Sequence, residues 1–219
     1  MSRLRVLETA EELHQFGERY AEVSRHVAPM AYLAHATVYG YFLRGEMIGG
    51  FTLSDRAPFR VIEGLPADAR RKLADELDFD DMVESGCAWL QPQYRGLGSL
   101  SFWWEVSAQA ARTGRRWRLG ATCVPGLARL YNAVGLPQVY RGLLEFESDV
   151  HHNWVFSDDL SQWRQTMARG AWCKIRRGAA KRRVPASVPA FMPLPVYVSA
   201  LGDVAVAAEQ RRRVLQPVA

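Results

Sequence analysis

The chain has 219 residues, 48% hydrophobic, 11% aromatic and 23% charged, enough to bury a sizeable core in one domain with or without an appendage. This composition excludes a disordered or fibrous chain, and no apolar run reaches the ~18 residues of a membrane span. The net charge of +5 is unevenly spread: residues 1–159 carry 17 Lys/Arg against 21 Asp/Glu, and residues 160–219 carry 11 against 2.

The first residues, Met-Ser-Arg-Leu-Arg-Val-Leu-Glu, lack the apolar core of a secretory leader. Three scattered cysteines (Cys87, Cys123, Cys173) fit neither a disulfide framework nor a zinc site, so a reducing, cytoplasmic setting is expected.

In chain order, Arg3–Leu7 reads as a strand. Thr9-Ala10-Glu11-Glu12 is a capping box, and Leu13, Phe16, Tyr20 and Val23 extend a helix from Ala10 to about Val27. Thr37–Leu43 and Met47–Leu53 form a hairpin around Arg44-Gly45-Glu46. Pro66 opens a short helix that leads into an acidic stretch from Asp75 to Glu84. Cys87–Leu90 is a buried strand, followed by a glycine loop and a helix with Leu100, Trp103, Trp104, Ala108 and Ala111 on one face. Trp117–Val124 is a strand, Gly126–Val134 a helix closed by Gly135, and Val139–Phe146 a closing strand.

This order implies a mixed α/β domain over residues 1–155. Residues 156–219 form a basic, proline-containing extension. In it Ser157 caps a helix through Trp163 and Met167 that closes at Gly170, and a further helix spans Asp203 to Leu215. Pro185, Pro189, Pro193 and Pro195 interrupt the stretch between them. The cluster Lys174–Arg183 suits an acidic partner protein, nucleic acid or an anionic membrane surface.

The most informative segment is Leu90-Gln91-Pro92-Gln93-Tyr94-Arg95-Gly96-Leu97-Gly98, between a strand and a helix. Glycines there let backbone N–H groups approach a ligand, and the positive end of the following helix favours phosphate. A second segment, Leu130-Tyr131 with Gly135-Leu136, follows about 33 residues later. Together they resemble the GNAT superfamily of acyl-coenzyme A N-acyltransferases, whose pyrophosphate loop reads [QR]-x-x-G-x-[GA] and whose later helix often carries L-Y-x-x-x-G-[FL].

The resemblance implies a GNAT-like α/β fold: a mixed central sheet flanked by helices, here with the basic C-terminal extension. It implies that the amides around Arg95, Gly96, Leu97, Gly98 and Ser99 bind the pyrophosphate of acetyl-CoA or another acyl-CoA. The strand through Ala88, Trp89 and Leu90 would splay from Trp117–Val124 and offer a backbone N–H to the thioester carbonyl. Tyr131 would be the general acid toward the departing thiolate. Two loop registers remain open, one counted from Pro92 with Arg95 and Gly98, the other Gln93-x-x-Gly96-x-Gly98. The first leaves Leu100 where the family has a small residue. Val124 stands where many members have asparagine, and Arg118-Leu119-Gly120 offers no glutamate base.

Glu84 is the first candidate for general base, followed by Asp81 and Asp80, in an acidic stretch placed to attract a cationic amine. Cys87 reads as a buried structural thiol, His14, His26 and His35 as isolated, and Trp103 with Trp104 as possible walls of an acyl pocket. No metal site is expected, since His151-His152 lacks ligand spacing. The expected activity is transfer of an acyl group, acetyl by default, from acyl-CoA to a small-molecule or peptide amine by direct attack in a ternary complex. The alternatives are a longer acyl chain, an acyl carrier protein docked on Lys174–Arg183, or a non-catalytic module binding an anionic partner through the basic tail.

Overall fold

The computed structural model describes residues 2–95, 99–146 and 149–182, the last six by backbone alone. Gly96, Leu97, Gly98, the proline-rich stretch and the helix expected at Asp203–Leu215 lie outside the described residues. The compact unit runs to Arg182.

Strand β1 (Ser2–Leu7) precedes helix α1 (Ala10–Ser24). Thr9 Oγ1 accepts the Glu12 N–H at 3.2 Å and Glu12 returns the bond to the Thr9 N–H at 3.1 Å, so the capping box is complete. The helix stops three residues short of Val27 because Arg25 is left-handed, with φ 66°. Helix α2 (Met30–His35) follows. The hairpin β2 (Thr37–Leu43) and β3 (Glu46–Ser54) turns through Arg44 and Gly45, both with positive φ, the geometry that matches strand twist.

Two short helices, α3 (Arg60–Glu63) and α4 (Ala67–Glu76), lead into β4 (Met82–Leu90). Glu84 therefore lies inside β4, not before it. After β4 come α5 (Ser99–Arg112), β5 (Trp117–Thr122), α6 (Pro125–Val134), β6 (Gln138–Phe146) and β7 (Asp149–Asp159). Gly135 closes α6 at φ 84° as expected.

β7 crosses the boundary expected at residue 155, because it pairs with β5 on one side and β6 on the other. Ser157 is thus a strand residue rather than a helix cap, and Asp159 caps the turn that follows instead. Helix α7 (Trp163–Arg182) continues through Gly170, whose missing side chain leaves room beside Val134 of α6.

The sheet order is β1-β2-β3-β4-β5-β7-β6, antiparallel except for the parallel pair β4/β5. One face carries a core of Tyr41, Phe51, Val83, Phe102 and Val106 beneath α5. The other carries Phe16, Leu33 and Trp89 beneath α1 and α2, and Leu65, Leu73 and Met82 beneath α3 and α4. The buried stripe of α5 is Phe102, Val106 and Ala110, with Phe102 set edge-on against Tyr41 and Phe51. The expected stripe was rotated from this one: Trp104 is 46% exposed and meets Trp163 edge-on.

Candidate active site

β4 and β5 stay paired only from Met82–Ser85 against Trp117–Gly120. Beyond that point β4 follows β3, bulging at Cys87-Ala88 opposite Phe51, with Cys87 at φ 45°. β5 meanwhile follows β7 as far as Thr122. The strands part as expected, and a cleft of about 570 Å³ opens between them, lined by Glu84, Ala88, Trp103, Tyr131 and Lys174 among others. Ala88 is exposed between buried Cys87 and Trp89, so this stretch of β4 edge faces the opening.

Glu84 is 1% exposed. Its Oε2 accepts the Val61 backbone N–H at 2.7 Å, and Tyr32 Oη lies 3.5 Å from Oε1 and 2.8 Å from Thr52 Oγ1. Burial pushes its carboxyl up to about 7, although the Val61 amide and the Arg60 charge both pull it down. Desolvation wins, and the group titrates where a general base works best.

Asp81 and Asp80 do not join it. Asp81 Oδ1 accepts the Arg116 N–H at 2.9 Å and the Asp80 carbonyl accepts from Arg115 at 2.6 Å, bracing the closed end of the β4/β5 pair. Arg60 and Tyr32 were not among the expected site residues, yet both line the Glu84 end of the cleft. Only their side-chain chemistry was legible in the sequence, because the sheet brings them from more than 20 residues away.

Tyr131 packs edge-on against Trp103 (6.4 Å) and Phe156 (5.2 Å) and lines the cleft. Burial pushes its hydroxyl up to about 12, against a smaller opposing pull from Arg118. Of the two tryptophans considered for an acyl pocket, Trp103 faces the cleft and Trp104 does not. Below them Arg118 Nη2 meets Asp158 Oδ2 at 2.5 Å, Arg118 Nη1 donates to Ser107 Oγ at 2.9 Å, and Thr166 Oγ1 donates to Asp158 Oδ1 at 3.3 Å.

At the other end, Ser99 is buried at the start of α5, Leu100 lines the cleft beside it, and Arg95 Nε donates to the Leu90 carbonyl at 2.9 Å. Trp89 and Leu90 are buried there too. Lys174, expected in a separate basic tail, reaches Ser99 Oγ with its ammonium from α7, and burial lowers its pKa. Thus the start of the basic cluster belongs to the cleft.

Cys87 is buried with its thiol pushed up to about 12 by desolvation, as a structural cysteine should be. His26 is not isolated: its Nε2 lies 3.1 Å from Cys123 Sγ, and its ring meets that of His151 at 4.7 Å. Among the described residues no group of three His, Cys, Asp or Glu side chains is placed to hold a metal ion, and no helix is long and apolar enough to cross a membrane.

No protein-family model matches the sequence, and no curated protein matches it. Solved structures do match in shape. FeeM, an N-acyl amino acid synthase from uncultured soil microbes, superposes with a TM-score of 0.59 at 15% identity, covering 76% of this chain and 94% of that one. The ribosomal-protein-S18-alanine N-acetyltransferase from Escherichia coli gives a TM-score of 0.50 at 10% identity, covering 73% and 94%. The mixed seven-stranded sheet with helices on both faces is the GNAT fold.

Proposed function

We propose that the chain is an acyltransferase that moves an acyl group from a thioester, acyl-CoA in the first instance, to an amine by direct attack. The observation that carries this is Glu84, buried in the cleft where β4 and β5 part, with a carboxyl at about 7. An ammonium cannot attack a thioester. Glu84 takes its proton, and the neutral nitrogen adds to the carbonyl carbon.

Negative charge then develops on the carbonyl oxygen, where a backbone N–H of β4 near Ala88 stabilises it. The tetrahedral adduct collapses by breaking the carbon–sulfur bond. A hydroxyl at about 12 is protonated when the step begins, so Tyr131 hydrogen-bonds the leaving sulfur and passes it a proton as the carbon–sulfur bond breaks, and the proton lost by the adduct nitrogen restores the tyrosine. The donor's pyrophosphate falls to the loop from Arg95 to Ser99, with the Lys174 ammonium beside Ser99 adding positive charge. No side chain needs to carry the acyl group covalently.

The lining of the cleft favours a second reading of the donor. Besides Tyr131 it includes residues of α5, β7 and α7, with Trp103, Val106, Phe156 and Met167 as apolar walls. This suits an acyl chain longer than acetyl, delivered by coenzyme A or by an acidic carrier protein that meets Lys174 and Arg176.

The test is thiol release from acetyl-, octanoyl- and dodecanoyl-CoA with a panel of amines, for the native protein and Glu84→Gln. Native kcat/KM should rise about tenfold per pH unit below about 7 and then level, and the variant should lose about 10²-fold or more. A pH-flat native rate, or a variant of native activity, would remove Glu84 as the base. No turnover with any donor, together with no calorimetric heat from coenzyme A, would remove the function itself.

A further inference from the structure

Cys123 follows the last residue of β5 and lines the cleft half-buried, with its Sγ 3.1 Å from His26 Nε2. Both partners are held in place. The His26 backbone N–H donates to Ser24 Oγ at 3.1 Å, just after the left-handed Arg25 ends α1, and the imidazole ring meets that of His151 on β7 edge-on at 4.7 Å. Thr122 Oγ1 accepts the Val124 N–H at 3.1 Å and so fixes the turn that carries Cys123. The thiol and the imidazole line the same cleft as Glu84 and Tyr131.

Their place along the strands gives the pair a chemical meaning. The last β4/β5 pair is Ser85 with Gly120, and Ala88 and Cys123 each lie three residues further along, on opposite strands of the gap. The exposed β4 edge at Ala88 is where the oxygen of a thioester carbonyl is stabilised in the mechanism above. A carbonyl carbon held at that edge therefore has a thiol on the other strand. Burial raises the Cys123 pKa, so the sulfur keeps its proton at rest and has to lose it on attack. An imidazole at 3.1 Å is the group to receive it. Nucleophile, base and oxyanion donor are the three parts that covalent acyl transfer requires.

We propose that Cys123 is a second acceptor for the acyl group, taking it from the bound acyl-CoA with His26 as its base when no amine occupies the cleft. The Cys123 sulfur forms a bond to the thioester carbon as its proton passes to His26 Nε2. The adduct collapses by breaking the bond to the coenzyme sulfur, which leaves with the proton that His26 received, and the imidazole returns to its neutral form. One thioester is exchanged for another, so no further reactant is consumed and the acyl group stays activated toward an amine. Direct attack remains the route whenever an amine is bound. The proposal rests on the acyltransferase reading for the position of the donor.

The test incubates the native protein with acetyl-CoA and dodecanoyl-CoA without any amine, and reads thiol release, intact mass and the site of acylation by peptide mapping. We expect a burst of about one thiol per chain and one acyl group on Cys123, both lost in Cys123→Ala. In His26→Ala the burst should slow by about 10²-fold, and added imidazole should restore part of the rate, which a purely structural role for His26 would not allow. Cys173, whose Sγ faces the Ala133 carbonyl at 3.7 Å, is the internal comparison and should stay unmodified. An acyl group found on Cys173 or on lysine instead, or a burst unchanged in Cys123→Ala or His26→Ala, overturns the proposal.

The same samples with amines added separate this proposal from the reading beneath it. Transfer to an amine without any Cys123 adduct overturns the second acceptor and leaves the acyltransferase intact. A Cys123 adduct without transfer to any amine supports the second acceptor, and only the amine reading fails. Absence of both overturns both.

Discussion

The Glu84 carboxylate accepts the backbone N–H of Val61 at 2.7 Å, which ties the centre of β4 to a four-residue helix 23 positions earlier. That bond lowers the carboxyl pKa, and burial raises it further than the bond lowers it. The folded protein therefore holds this proton more tightly than the unfolded chain does, where the group titrates near 4.5. Its contribution to stability is complete below about 4.5 and is lost as pH rises through about 7, amounting to roughly 3 kcal/mol. Glu84→Gln should flatten this slope. Melting temperatures of both proteins at pH 5 and pH 8 will show it, and the native protein should lose more between the two.

Tyr131→Phe removes one hydroxyl and keeps the edge-on contacts with Trp103 and Phe156. We expect kcat to fall about 10²-fold with the dissociation constant for coenzyme A within about twofold. A kcat equal to the native value would make Tyr131 a packing residue alone.

Arg118 and Asp158 are a buried pair, with side chains 12% and 6% exposed, joined to α5 through Ser107 and to α7 through Thr166. Removing one partner strands the other charge. Asp158→Ala should cost about 3–5 kcal/mol in urea unfolding, whereas replacing both residues by leucine or methionine should cost less than the two single changes combined.

Gly86 sits on β4 directly under the Tyr32 hydroxyl. A Cβ at that position would lie 2.5 Å from Tyr32 Oη and 3.0 Å from Thr52 Oγ1. Gly86→Ala should push the tyrosine off Glu84 and Thr52, destabilise by about 1–3 kcal/mol and shift the pH midpoint of activity. Restoring space with Tyr32→Phe in the Gly86→Ala background should recover part of the stability.

Local signals were readable in the sequence wherever one short segment decides the outcome. The capping box at Thr9, the turn at Arg44-Gly45 and the left-handed Gly135 each follow from a few adjacent residues. The parting of β4 from β5 was legible only through the family resemblance. β7 escaped notice because it is buried between two strands, and Asp149–Asp159 shows no clean alternation of polar and apolar residues. Helices α2 and α3 are too short for a periodic pattern to show. Glu84 was legible as a candidate, but its pairing with Val61 and its closeness to Arg60 arise from chain folding across the sheet, which spacing along the sequence does not report.

The β4/β5 junction has a mechanical consequence. β1 to β4 form one continuous antiparallel half, β5 to β7 another, and among the described residues Met82–Ser85 with Trp117–Gly120 is the strand-to-strand seam between them. With four residue pairs in that ladder and none beyond it, the seam fixes the two strands at the base of the cleft and leaves their far ends unpaired with one another. Such a clasp is stiff at its base and compliant at its tip. Hydrogen exchange should be slowest for amides at the seam, while donors of different girth are admitted without unfolding any strand.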